Sequence, residues 1–379
     1  HTPARFFAAG GSAMKVLAAL SGGVDSSVAA ALLIDQGHVV VGATLKLWGG
    51  ASDTGCCSVS DVEDARRSAA QLGIDHHVFN YTEEFDRHVV EPYVADHVEG
   101  RTPNPCIECN RHLKFDSLLR RAEVLGFDAV ATGHHARRVQ MADGTFRIGR
   151  GADAAKDQSY VLYPLHGEDL GRVLFPIGEL TKAQVRELAA ERGLRTATKA
   201  ESQDVCFITR AEGREAFLRE RVALHPASVV DGTGGVVGGT EAVELVTIGQ
   251  RKGLNLAGGS DRRFVTSVDV RSRRVTVGGP DDLLDGAVLV GSVVWNSGAA
   301  PARTAEGMPV TAQCSAHGRA EPATITALGE REVELRWDVP QVRVAPGQSI
   351  VLYNRDPVAD QEAAVDPDTV LGGGIAALH

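Results

Sequence analysis

The chain has 379 residues, 43% hydrophobic and 23% charged, a composition ordinary for a globular protein and a length too great for one typical domain. No run of eighteen apolar residues occurs, which excludes a helical membrane span. A formal net charge of −10 argues against coating nucleic acid nonspecifically, although a local basic patch would suffice for a defined site.

In chain order, His1 to Ala13 hold no signal-peptide core; they are expected to be a flexible leader or added remnant, with Met14 the native start and His379 a similar remnant. Lys15–Leu20 reads as a buried strand, Val28–Gln36 as a helix stopped by Gly37, and Val39–Leu45 as a second strand. Asp61–Leu72 is a predicted helix, Asp75–Phe79 a third strand, and Glu83–Val98 a long amphipathic stretch. Lys114–Leu125 is a helix ended by Gly126, followed by a strand at Asp128–Thr132. Thr181-Lys-Ala-Gln184 fits a capping box that opens a helix to Arg192. This strand–helix alternation predicts an α/β domain over 14–215, with a parallel sheet covered on both faces. A glycine-rich stretch, 216–285, predicts a small mixed or β domain with a hairpin of Phe264–Val270 and Val275–Gly278. Short alternating runs from 286 to 379 (Ala287–Trp295, Val310–Ser315, Ala323–Leu328, Glu332–Trp337, Ser349–Tyr353) predict a C-terminal β-barrel. Arg355–Asp368, acidic and proline-bearing, is expected to be an exposed loop. Six cysteines without a signal peptide point to a reducing cytoplasm, where a cysteine pattern is more often chemical than structural.

Ser21-Gly-Gly-Val-Asp-Ser-Ser27 lies between the first strand and the first helix, where a doubly wound sheet binds ligands. Its glycines let the backbone approach an anion, its serines add hydroxyl donors, and the helix N-terminus adds partial positive charge. It lacks the Gly-Lys-Ser/Thr ending of a Walker A loop. Asp25 is the odd residue, since a carboxylate repels phosphate unless it faces a magnesium ion or an adjacent donor. Asn104-Pro-Cys-Ile-Glu-Cys-Asn110 is the second landmark. Its prolines bar a helix up to Cys106, so a helix is expected to begin near Cys109 and to lower that thiol's pKa, aided by Arg111, His112 and Lys114. The third is Glu201-Ser-Gln-Asp-Val-Cys206, with Cys206 in a strand-like run. Cys56-Cys57 reads as loop structure, because adjacent cysteines bridge with strain, and Cys314 as packing in a barrel strand. His76 and His77 point to opposite faces of a strand and cannot easily share a metal.

The loop resembles the pyrophosphate loop of enzymes that cleave ATP between the α and β phosphates. The loop, Asn104 to Asn110, Ala131-Thr-Gly-His134, Lys156-Asp-Gln-Ser-Tyr160, Glu201 to Cys206 and Thr247-Ile-Gly-Gln-Arg-Lys-Gly253 occur in one order. That series resembles the bacterial tRNA-specific 2-thiouridylases from about Met14 to Leu378.

The resemblance implies that ATP, with Mg2+, adenylates the C2 oxygen of the wobble uridine of a tRNA anticodon. It implies that sulfur then arrives as a persulfide on Cys206, from a carrier protein relaying a cysteine desulfurase, and that Cys109 assists its release. The two cysteines would end as a transient disulfide. By the same resemblance the nucleotide is held by Ala19, Leu20, Ser21, Gly22, Gly23, Val24, Asp25 and Ser26, by Leu45 and by Gly133. The target base meets Asn104, Pro105 and Cys106; His134 faces the nucleotide or the base. tRNA contacts fall on Lys156, Asp157 and Gln158, on His317-Gly318 where relatives often carry Arg-Tyr, and on Gln348. Cys106 stands where some relatives have aspartate, which leaves a rival use open: Cys106, Cys109 and Cys206 ligating an iron–sulfur cluster. Zinc with a fourth ligand is the remaining alternative for these cysteines. Another pyrophosphate-loop ligase would need a glutaminase or amino-acid site, and neither has a visible signature. A non-catalytic RNA-binding protein would have no use for an intact loop and both cysteines.

Overall fold

The computed structural model describes residues 13–48, 59–141, 143–165, 167–200, 205–208, 213–257, 262–355 and 368–377. The expected leader, Cys56-Cys57, Glu201 to Asp204, His379 and most of the acidic loop lie outside these residues. Packing divides the chain into two units, the second made of residues 89–105, 210–361 and 371–379 and the first of the remainder.

The first unit is built on a parallel sheet. Its strands are β1 (Lys15–Ala19), β2 (Val39–Lys46), β3 (His76–Asn80), β4 (Ala129–Ala131) and, after a hairpin of β5 (Ala136–Gln140) and β6 (Phe146–Arg150), β7 (Val173–Leu174). They lie in the order β3-β2-β1-β4-β7, every pair parallel. Three helices matter for the site: α1 (Val24–Asp35), α2 (Val59–Leu72) and α3 (Lys182–Glu191). α1 is rich in alanine and buried on nearly all sides, because β1 and β4 pack on one flank and Val185, Ala189 and Leu194 on another. It begins four residues before the predicted Val28. Gly23 takes the extended N-cap conformation, and the hydroxyls of Ser26 and Ser27 donate back to its carbonyl (3.1 and 2.9 Å), so both serines fold into the first turn.

The amphipathic stretch forms a helical run, Thr82–Phe85, Asp86–Val90 and Glu91–Val98, whose middle part is a π-helix. Pro92 has no N–H to return to the preceding turn, which explains a wider turn just before it. A second run starts at Pro105: an α turn (Pro105–Glu108), a π-helix (Cys109–Ser117) and an α-helix (Leu118–Val124). The predicted start near Cys109 is therefore corrected to Pro105. Proline at the first helical position is favoured rather than barred, since its missing N–H has no partner there.

The second unit holds two β systems. β8 (Ala227–Val230), β9 (Val236–Thr240), β10 (Phe264–Asp269) and β11 (Arg274–Gly278) form a sheet ordered β10-β11-β8-β9 around Val229, Val265, Val275 and Val277. β12 (Leu284–Trp295), β13 (Met308–Gln313), β14 (Glu321–Gly329), β15 (Glu332–Val342), β16 (Ser349–Asn354) and β17 (Val370–Ala376) close a barrel. β17 was not predicted as a strand, because three glycines hide it. They are needed there: a Cβ on Gly372 or Gly374 would sit 2.3 or 2.5 Å from a carbonyl oxygen of β12.

Candidate functional site

Parallel strands place all their carboxyl ends on one edge, and the loops after β1, β2 and β4 meet there. Leu20 closes β1, its carbonyl accepting from Thr44 Oγ1 at 2.7 Å and its N–H donating to Ala43. Leu45 is buried at the end of β2. The serine hydroxyls of the loop are linked, Ser21 Oγ to Ser26 Oγ at 3.3 Å. Gly22 has φ +71°, and a Cβ on it would lie 2.3 Å from the Asp61 carbonyl oxygen of α2. A Cβ on Gly133 would lie 2.5 Å from the Ser26 nitrogen. The loop is thus wedged between α2 and the end of β4, and only glycine fits either contact.

Asp25 faces donors. Lys182 Nζ lies 2.8 and 2.7 Å from its two oxygens, and His135 Nε2 lies 3.3 Å from one of them. Burial pushes this carboxyl up, but the hydrogen bonds from His135 and Lys182 outweigh it and hold the pKa below the ordinary value. The carboxylate in the anion cradle is therefore neutralised by an adjacent cation, one of the two partners its position called for. Sequence reasoning missed Lys182 as a site residue. It read the capping box, which is present (Thr181 N to Gln184 Oε1, 2.8 Å), but not that the box fixes the first turn of α3 and so aims the next side chain at the loop. The signal was Asp25 itself, which required a cation from elsewhere in the chain.

His134 follows Gly133 but is enclosed, 7% exposed, against Phe115 and Phe175, with Nδ1 2.7 Å from Thr132 Oγ1. Burial, then the charge of Lys114, drives its pKa well below the usual value, so it is neutral. Asp157 is turned inward. It accepts from Arg150 Nη1 (2.9 Å), the Gly151 and Ser159 nitrogens (2.9 and 3.1 Å) and Ser159 Oγ (2.8 Å). Gln158 Oε1 accepts the His135 N–H at 3.0 Å. Lys156 stands half-buried on the same loop.

Cys106 is exposed in the first turn of its helical run and Cys109 is buried in the second. The expectation that Cys109 marks a helix N-terminus is corrected accordingly. Its helix docks through Phe115 on His134 and through Asn110 Nδ2 on the Val161 carbonyl (3.1 Å). Arg111 and His112 serve acidic neighbours: Arg111 lies 3.5 Å from Glu108, and His112 sits 3.3 Å from both Glu108 and Asp116. Cys206 lies in a turn, not a strand, with Ile208 N bonded to Val205 O. The reason is Phe207, which packs on Trp48 beyond β2 (6.1 Å) and on Phe85 (5.6 Å). Cys314 packs on the barrel core, and burial pushes its thiol up to about 12.

Asn104 and Pro105 belong to the second unit. His317 and Gly318 sit on an exposed turn between β13 and β14, and Gln348 closes a turn through its Oε1 and the Ala345 nitrogen (3.3 Å). Among the described residues no group of three or more His, Cys, Asp or Glu side chains could hold a metal ion.

Three family models match in sequence: a tRNA methyl transferase HUP domain over 14–210, a tRNA methyl transferase PRC-barrel domain over 215–279 and an aminomethyltransferase beta-barrel domain over 286–376. The tRNA-specific 2-thiouridylase MnmA of Roseiflexus castenholzii is 44% identical over 95% of this chain and 98% of its own. Its namesake from Mycolicibacterium smegmatis is 45% identical over 93% and 98%, and that from Chloroflexus aggregans 43% over 95% and 97%.

Proposed function

The chain belongs to the tRNA-specific 2-thiouridylase family, and we propose on that premise a reaction path for its cysteines. The enzyme is a sulfurtransferase that uses ATP to thiolate a uridine of tRNA. In the proposed path the C2 oxygen of the wobble uridine attacks the α-phosphorus of ATP, and pyrophosphate leaves. Adenylation turns a poor leaving oxygen into AMP. Cys206 carries a persulfide delivered by a sulfur-carrier protein in the cytoplasm. The Cys109 thiolate attacks the inner sulfur, forming a Cys109–Cys206 disulfide and releasing hydrosulfide. Hydrosulfide adds to C2, AMP leaves, and an external thiol reduces the disulfide.

The observation that carries this reading is the common edge. The pyrophosphate loop, the helix bearing Cys109 (through Phe115 on His134) and the turn bearing Cys206 (through Phe207 on Trp48) all anchor at the carboxyl ends of β1, β2 and β4. Lys182 and the loop's N–H groups receive the pyrophosphate. Mg2+ would enter with the phosphates as their counter-ion, and no step is routed through it. The cluster alternative gains no support from the geometry, since among the described residues no group of three or more His, Cys, Asp or Glu side chains is placed to hold a metal ion.

The test is nucleoside mass spectrometry of tRNA incubated with ATP and a persulfide donor, using metal-free enzyme. Wild type should yield 2-thiouridine. Cys206→Ser should adenylate but not accept sulfur, and Cys109→Ser should accept sulfur but not pass it on. Activity that appears only with added iron and sulfide would sink the persulfide route. A uridine gaining the mass of a methyl group would sink the thiolation reading itself.

A further inference from the structure

The segment leading to Cys206 is gripped from two sides, and both grips belong to walls of the pyrophosphate loop. From one side, Lys199 Nζ lies 2.7 Å from Asp61 Oδ1 and 2.6 Å from Asp64 Oδ2, both on α2. The Asp61 carbonyl is the atom wedged against Gly22. From the other side, Arg186 Nη1 donates to the Ala197 carbonyl at 2.7 Å, and both its Nη groups reach the Lys199 carbonyl at 3.3 Å. Arg186 stands one turn beyond Lys182 on α3, and Lys182 holds Asp25. Residues 197–199 are therefore tied to both elements that shape the loop. The pair partners are mostly shielded, with the Lys199 side chain 29% exposed and Asp61 14%.

We propose that Lys199 is a positioning residue that couples nucleotide occupancy of the pyrophosphate loop to the placement of Cys206. Lys199 lies seven residues before Cys206. Extended chain of that length reaches roughly 24 Å, so one anchor could not place the thiol. Phe207, seated on Trp48 and Phe85, supplies the second anchor on the far side of Cys206. Phosphates entering the loop press on Gly22 and on Lys182. Either displacement is carried, through α2 or α3, to the same three residues. A neutral side chain at 199 would leave the loop its ligands but cut the tie through α2.

The proposal rests on Cys206 as the sulfur acceptor, and its test does not. Iodoacetamide labelling of Cys206, followed by peptide mass spectrometry, is run with and without an ATP analogue that cannot be cleaved between the α and β phosphates. In wild type the analogue should slow labelling by on the order of tenfold, within the range of coupled sites. In Lys199→Met, which keeps the Arg186 bonds to the backbone, that slowing should fall to roughly threefold or less while the analogue still binds, and Lys199→Arg should restore it. If Lys199→Met folds poorly because two aspartates lose its ammonium, the Asp61→Asn, Asp64→Asn, Lys199→Met triple variant removes the unbalanced charge and should be equally uncoupled. Slowing in Lys199→Met equal to wild type, or no slowing in wild type, overturns the proposal. Thiolation by Cys206→Ser at the wild-type rate would instead overturn the acceptor assignment and leave the labelling result standing.

Discussion

At the scale of single residues, the pyrophosphate loop is decided by a cation that the loop does not contain. Lys182 is held on Asp25 at 2.7 Å and is only 12% exposed, so in the proposed path it is already placed where negative charge gathers during adenylation. Removing one such pre-aimed group from a transition state typically costs two to three orders of magnitude in rate. Lys182→Met should therefore lower tRNA-dependent pyrophosphate release by about a hundredfold or more, with tRNA affinity unchanged. Asp25→Asn should cost less, because Asp25 acts by holding Lys182. The reverse ranking would mean that Asp25 contacts the phosphates or their metal directly. Gly133→Ala makes a separate case. Its Cβ would press on Ser26 and Asp25 backbone atoms at 2.5 and 2.7 Å, and backbone cannot swing aside as a side chain can. Nucleotide affinity should fall more than tenfold, read by analogue titration, and the melting temperature should fall as well, because the collision is with backbone.

The same residues show what a sequence can reveal. The loop was legible because glycine spacing and serine position follow from local chemistry. Cys109 and Cys206 were singled out, but their surroundings were not. The helix begins at Pro105, not Cys109, and Phe207, rather than strand pairing, fixes the turn at Cys206. Asp157 and Gln158 looked like surface contacts, and their bonds to Ser159 and the His135 backbone depend on a fold that no local pattern records. Lys182 and Lys199 meet partners more than a hundred residues away in sequence, beyond the reach of any periodicity.

At the scale of elements, the π-helix Cys109–Ser117 has its own device. His112 lies 3.3 Å from Glu108, four residues before it, and 3.3 Å from Asp116, four after. It therefore straps three turns of the segment that carries Cys109. Hydrogen bonds to Asp116 and Glu108 raise its pKa from 6.5 to about 9, against the effect of burial. A raised pKa means that the folded state holds the proton more tightly than the unfolded chain. The stabilisation is fully present below pH 6.5 and is lost as pH rises through about 9. Allowing for screening of a partly exposed site, it amounts to on the order of 1–2 kcal/mol. Thermal melts should show wild type losing stability from pH 6.5 to 9, and His112→Gln should be less stable at the low end and flat across that window. A parallel decline in both proteins would place the titrating group elsewhere. His88, stacked on His112 at 4.7 Å, has its pKa lowered by burial, then by the charge of His112, so it does not supply the same slope.

At the scale of the molecule, a chain of net charge −10 must bind a polyanion through local cations against its own field. Each phosphate neutralised contributes about −0.7 to −0.9 to the log–log salt slope of binding. That slope separates two residues that sequence reasoning grouped together. Lys156→Ala should flatten it by up to about one unit and weaken binding to every tRNA alike. Asp157→Ala removes an acceptor of bonds from Arg150, Gly151 and Ser159, so it should loosen the loop after β6 and lower the melting temperature. Any loss of tRNA affinity there should come with an unchanged salt slope, because no phosphate contact has been deleted. If Asp157→Ala changes the slope while leaving the melting temperature alone, its inward bonds are not its role and the side chain reaches the RNA after all.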